Sequence, residues 1–201
     1  PYGQPDEQTP AELAADLARP DSERPLRVFY YAAPHGGDVE LRTRLYDLCD
    51  GSEASWFCPR EEREPAEGYQ HGDMPLDHAQ YMRTFGNATF VLIPAGDSPG
   101  RITMWDAIRR GCVPVLFSSC PRGHVLDSHR GWLPADDGLG FGVRKWAVLL
   151  DQRAVMTNRT YLHDMLAAVT HEQLAAMLEE GVITKEEFLT MKQRLLSKFM
   201  S

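Results

Sequence analysis

The sequence holds no run of 18 apolar residues, which excludes a membrane-spanning helix within it. Its longest apolar stretches, such as Val28-Phe29-Tyr30-Tyr31-Ala32-Ala33, are strand-sized. Positive charge is in short supply: Lys and Arg number 21 against 29 Asp and Glu, a formal net charge of −8. Nothing resembles the one-sided basic excess of a nucleic-acid footprint. Cysteine is scarce, with four residues, no C-x-x-C and no His at a zinc-like spacing, so no metal is expected. Neither G-x-G-x-x-G nor G-x-x-x-x-G-K-[S/T] occurs, which removes the dinucleotide fingerprint and the P-loop, and no cofactor is expected. The seven histidines are scattered, and no Ser-His-Asp, Cys-His or paired-carboxylate arrangement stands out, so no general base is named. An initiating Met is also lacking. The chain starts at Pro1, which predicts a trimmed or incomplete N-terminus, and a missing leader or anchor then says little about compartment.

What is present is the material of a folded domain. Apolar residues make up 43% and charged residues 25% of the 201 residues, an ordinary globular balance. That length predicts one domain, or one with a small appendage. Residues 1–24 are rich in Pro and acid and read as a lead-in, with a capping box at Thr9-Pro10-Ala11-Glu12 opening a short helix over Ala11–Ala18.

From Leu26 the pattern becomes regular. Leu26–Ala32 reads as a strand, Pro34-His35-Gly36-Gly37 as a tight turn, and Asp38 as the cap of a helix through Leu48 with Val39, Leu41, Leu45 and Leu48 as its apolar stripe. Ala54–Cys58 reads as a second strand, Pro59–Pro75 as a charged surface loop and Leu76–Phe85 as a helix. Thr89–Ile93 is a continuously apolar third strand, as expected of a central one. A Gly/Pro loop at 94–100, a helix over Arg101–Arg110, a strand over Cys112–Phe117, a long Gly/Pro/Asp-rich loop and a strand over Trp146–Leu150 follow. The remainder, from about Thr160, reads as helical. Strands alternating with helices predict an α/β fold: a Rossmann-like parallel sheet covered by helices on both faces.

Ligands of an open parallel sheet sit beyond the carboxyl ends of its strands. Two turns fall there, His35-Gly36-Gly37 after the first strand and Gly96-Asp97-Ser98-Pro99-Gly100 after the third. Each leads into a helix N-terminus whose N–H groups can face an anion, although most such turns are plain connections. Arg42 and Arg101 lie near those helix starts and could neutralise a phosphate by bidentate contacts; the alternative for each is a solvated charge or a local ion pair. Asp106 lies about 7–8 Å beyond Arg101 along the helix, within reach of a sugar hydroxyl, or of an ion pair with Arg109 or Arg110. Spacing alone does not choose.

Two sequons, Asn87-Ala88-Thr89 and Asn158-Arg159-Thr160, would make Asn87 and Asn158 glycan acceptors in a lumenal protein, though sequons also arise by chance. Cys49 and Cys58 flank a turn and could form a disulfide in an oxidising compartment. Cys112 reads as a small buried hydrophobe.

Tyr81-Met82, Asn87 through Ser98, Asp106-Ala107 and Gly111-Cys112-Val113-Pro114-Val115 together resemble the exostosin family, glycosyltransferase family 47, and in the placing of Arg101 and Asp106 its plant and algal type. Arg27–Tyr31 followed by Leu41–Leu45, and Trp146–Leu150 with Leu166–Met177, resemble the start and end of the same lobe, so the likeness covers residues 25–178. It implies an inverting, two-lobed GT-B enzyme, a type II membrane protein of the Golgi lumen, that transfers a sugar from a nucleotide diphosphate-sugar to a glycan acceptor. This chain would be the donor-binding lobe, about half of that enzyme. Arg42 and Arg101 would hold the diphosphate, Gly96 and Ser98 would shape the phosphate loop, and Asp106 would hold ribose or sugar hydroxyls. The sequence departs from the pattern in having Val91 at the family's usual Cys and in lacking the acceptor lobe, and with it the expected base.

The tail, residues 179–201, resembles the short helical hairpin called SHOCT. Gly181 stops one helix, Thr184–Glu187 forms a capping box, and Phe188, Met191, Leu195 and Phe199 line the next. It would pack on the domain or serve self- or partner association. The rival to the enzyme is therefore a non-catalytic interaction protein with a degenerate sugar-nucleotide lobe and this hairpin as its working part. A nucleotide-binding oxidoreductase is weaker, for want of the glycine fingerprint.

Overall fold

The six residues Ala88–Ile93 are buried without exception, as a strand must be when helices cover both sides of its sheet. In a computed structural model, which describes residues 15, 19, 21–32, 38–50, 54–59, 78–94, 102–118 and 147–169, this segment is β3. The other strands are β1 (Leu26–Phe29), β2 (Trp56–Phe57), β4 (Val113–Ser118) and β5 (Val148–Asp151). The helices are α1 (Val39–Cys49), α2 (His78–Gly86), α3 (Ile102–Arg109), α4 (Gln152–Thr157) and α5 (Tyr161–Ala168). All strand pairs are parallel, in the order β2-β1-β3-β4-β5. The α/β sheet expected from the sequence is the one observed.

Alternation along each strand builds two cores. Val28, Tyr30, Phe90, Leu92, Val115 and Leu150 point to one face, where Leu41, Leu45 and Leu48 of α1, Val155 of α4 and Leu162 and Leu166 of α5 cover them. Phe29, Val91, Ile93 and Leu116 point to the other, under Phe85 of α2 and Met104 and Ala107 of α3. Phe29 meets Phe85 edge-on at 5.4 Å between ring centroids.

Several boundaries differ from the sequence reading. β1 ends at Phe29 rather than Ala32, although Tyr30 N still donates to Phe57 O at 3.1 Å. β2 shrinks to two residues because it pairs only with β1, at the sheet's edge. β5 starts at Val148 and runs to Asp151, and the helix α4 that follows was not foreseen. Val39, placed in the apolar stripe of α1, is 45% exposed. It is the first helical residue, where a side chain tilts toward the helix N-terminus and away from the turns that follow. The expected lead-in helix, the Pro59–Pro75 loop and the tail hairpin fall largely or wholly outside the described residues.

The end of the lead-in is built into the domain. After a 3₁₀ turn at Asp21–Glu23, Arg24 is 7% exposed. Its guanidinium donates to Gly86 O at 2.8 Å, Ala88 O at 3.2 Å and Arg110 O at 3.0 Å. Gly86 is the last residue of α2 and Arg110 follows α3, so one cation serves orphan carbonyls at the ends of two helices, where positive charge is favoured. Arg19 adds bonds to Gly86 O at 3.2 Å and Asn87 Oδ1 at 2.9 Å.

Candidate functional site

The strand order decides where a ligand can sit. The chain steps from β1 outward to β2 and then returns past β1 to β3, so α1 leaves β1 on one face and α3 leaves β3 on the other. Between β1 and β3 the direction of winding reverses, and a crevice opens beyond their carboxyl ends. The two turns singled out in the sequence follow β1 and β3 in the chain. Residues 33–37 and 95–101, which include Gly96, Ser98 and Arg101, lie outside the described residues; the residues that anchor them do not.

Two tyrosines fix the exit from β1. Tyr46 of α1 donates its hydroxyl proton to Ala32 O at 2.8 Å and accepts from Ala32 N at 3.1 Å. Tyr30 donates to Arg42 O at 3.2 Å, and the two rings lie 4.6 Å apart. The end of the strand is thereby tied to α1 before the turn begins. The run Tyr30-Tyr31 was read only as strand-forming, and a polar role for aromatic residues so close to the site was the signal available.

Asp38 closes the start of α1: its Oδ1 accepts from Leu41 N at 3.0 Å, the cap expected from the sequence. That carboxylate occupies the helix end that the sequence reading offered to an anion. Arg42, one turn further, is 2% exposed, a depth at which a guanidinium is rare. Asp106 is half-buried on α3, on the other side of the crevice. The geometry thus sets Arg42 and Asp106 on the two helices that leave the winding-reversal point, one on each face of the sheet.

A further residue joins them from the far end of the sheet. Gln152, the first residue of α4, is 7% exposed and donates from Nε2 to Asp38 Oδ2. A glutamine directly after a strand carries no motif, and sequence reading passed over it.

Cys49, at the end of α1, is disulfide-bonded to Cys58, just past β2, with an S–S distance of 2.09 Å. Closing so short a loop stabilises by restricting the unfolded chain, so the Cys49→Ser/Cys58→Ser double variant should lose about 2–3 kcal/mol. Thermal melts of the wild type with and without dithiothreitol check it; equal melting temperatures would contradict it. Cys112 is buried, its thiol near Phe85 O at 3.3 Å. Of the sequon asparagines, Asn158 is exposed at the end of α4, where its Oδ1 accepts from Thr160 N at 3.0 Å. Asn87 is half-buried and held by Arg19. Among the described residues, no group of three His, Cys, Asp or Glu is arranged to hold a metal ion, and no helix is long and apolar enough to cross a membrane.

Residues 1–165 match the Exostosin GT47 domain. The chain belongs to the exostosin GT47 family. Arg42, Gly96, Ser98, Arg101 and Asp106 all fall inside the matched span, and residues 170–196 match a second family, the Short C-terminal domain. Relatives of this exostosin domain include the probable xyloglucan galactosyltransferase GT13 of Arabidopsis thaliana, 28% identical over 104 residues, which are 52% of this chain and 20% of the relative. GT12 from the same plant is 29% identical over 101 residues, 50% of this chain and 18% of the relative. GT14 is 31% identical over 94 residues, 41% and 17% respectively. The chain spans about a fifth of the length of these relatives.

Proposed function

We propose that this exostosin domain is the donor-binding lobe of an inverting GT-B glycosyltransferase. It binds a nucleotide diphosphate-sugar beyond the carboxyl ends of β1 and β3 for transfer to a glycan acceptor. The observation that carries the reading is the burial of Arg42 beside the winding-reversal point, in a chain whose matched family is named for glycosyl transfer. Arg42 and Arg101 would neutralise the diphosphate, Gly96 and Ser98 would let the backbone approach it, and Asp106 would accept from ribose or sugar hydroxyls. The relatives are named as galactosyltransferases, which makes UDP-galactose the first probe.

A Golgi lumenal setting as a type II membrane protein accompanies this reading. The Cys49–Cys58 disulfide supports it, since such bonds persist in oxidising compartments. The proposed division is a lead-in at 1–24, the lobe at 25–178 and the tail at 179–201. The burial of Arg24 favours counting the end of the lead-in with the lobe. The Short C-terminal domain match supports a role for the tail in self- or partner association. It is also the one observation favouring the alternative, an interaction protein built on a degenerate lobe.

Calorimetric titration of the full-length protein with UDP-galactose, UDP-glucuronic acid and GDP-fucose tests the reading. Binding of at least one is expected, and binding of none would overturn it. Arg101→Ala should weaken that binding by about 1.5–3 kcal/mol, as for a charge-assisted contact. Unchanged affinity would reduce Arg101 to surface charge.

A further inference from the structure

Gln152 and Asp38 come from opposite ends of the fold and meet at the carboxyl edge of the sheet. Asp38 precedes α1, which follows β1; Gln152 begins α4, directly after β5, and two strands separate β1 from β5. The Asp38 carboxylate has both oxygens engaged, Oδ1 by Leu41 N and Oδ2 by Gln152 Nε2. This fixes the orientation of the glutamine amide. A carboxylate accepts only, so the nitrogen must face it, and the opposite orientation would set oxygen against oxygen. The consequence is that Gln152 Oε1 is held on the other side of the amide, and there it is buried without a hydrogen-bond partner. A buried acceptor left without a donor is costly and is uncommon in folded proteins.

We propose that Gln152 Oε1, held by Asp38, is a hydroxyl-accepting contact for the polyol part of the donor, separate from the place where the diphosphate sits. The proposal rests on the nucleotide-sugar reading above. The chemistry of the pair selects the ligand group. Asp38 brings negative charge to the N-terminus of α1, the 11-residue helix whose start would otherwise attract an anion. An anion is therefore repelled from this corner, whereas a hydroxyl can donate to the amide oxygen. The phosphates are left to Arg42 and Arg101, as proposed above. One hydroxyl falls to the α1/α4 corner, in addition to those proposed for Asp106.

Two substitutions test the assignment in the full-length protein. Gln152→Met keeps the volume and removes the acceptor. Asp38→Asn keeps a cap oxygen for Leu41 N but places an amide nitrogen opposite Gln152. The glutamine then turns over, and its nitrogen, a donor, faces where the ligand hydroxyl would be. Each variant should raise the Kd for the tightest-binding nucleotide-sugar of the panel by about three- to tenfold, the loss of one neutral hydrogen bond. The double variant should be no weaker than about Gln152→Met alone, because both remove the same contact. Inorganic pyrophosphate, which has no hydroxyl to donate from a sugar, should compete equally well against the wild type and Gln152→Met, and no less well against Asp38→Asn, which lacks the repelling charge.

Unchanged nucleotide-sugar affinity, or an equal loss for pyrophosphate, would overturn the hydroxyl contact and leave the donor-lobe reading standing. A fall in melting temperature with no change in Kd would make Gln152 a brace between α1 and α4, and would overturn it too. A wild-type protein that binds no nucleotide-sugar would overturn both readings together.

Discussion

Arg24→Ala is expected to cost about 3–4 kcal/mol of stability, because it strips a charged donor from each of three backbone carbonyls, with Gly86 O keeping Arg19 as a second donor. Those carbonyls belong to Gly86, Ala88 and Arg110, the points where α2 ends, β3 begins and α3 gives way to β4. Water does not replace the guanidinium easily, since Arg24 is 7% exposed. For a chain of this size the change corresponds to a melting temperature lower by roughly 10 °C. Arg24→Lys should recover only part of the loss. A lysine ammonium is a compact point charge and lacks the planar fork that lets one side chain serve carbonyls from separate elements. Urea denaturation of the three forms is the check, and a loss under about 1 kcal/mol for the alanine variant would show that the carbonyls find other donors.

Phe90→Ala should be comparably severe, at about 3–5 kcal/mol. Phe90 is fully buried in β3, the middle strand of five. It packs in the core formed by α1, α4 and α5, and the Arg27 guanidinium lies 5.2 Å from its ring centroid. That guanidinium also donates to Leu166 O at 2.7 Å near the end of α5. Truncation therefore opens a cavity at the sheet's centre and removes the surface on which Arg27 rests while it holds α5. Phe90→Leu, which keeps much of the volume, should cost less than half as much. Similar losses for the two variants in equilibrium unfolding would mean that the site collapses around the smaller side chain.

The architecture was legible in the sequence because the alternation was strong. Thr89–Ile93 has no polar residue on either face beyond Thr89, and only a strand sandwiched between helices tolerates that. Asp38 was legible as a cap because a single local contact determines it. Strand order was not legible, since it depends on which segments pair across long connections, and local pattern carries no such information. It is the order that sets β1 and β3, the strands leading into the two glycine-containing turns, side by side. Arg24, set among prolines and acids, reads like any solvated charge, and its three acceptors are all backbone oxygens from distant segments. Gln152 was missed for the same reason: its partner is 114 positions away. Val39 was misplaced because periodicity assigns a face but does not register that the first helical side chain tilts away from the turns that follow.

The short edge strand has a practical consequence for making this protein. Among the described residues, Ser55, Trp56 and Phe57 cover the outer edge of β1, and the Cys49–Cys58 bond tethers that cover to α1. In a reducing host, the Leu26–Phe29 edge and the aromatic residues beyond it would be released to pair with other chains. Bacterial cytoplasm should therefore yield inclusion bodies, and an oxidising secretory host should yield dispersed protein.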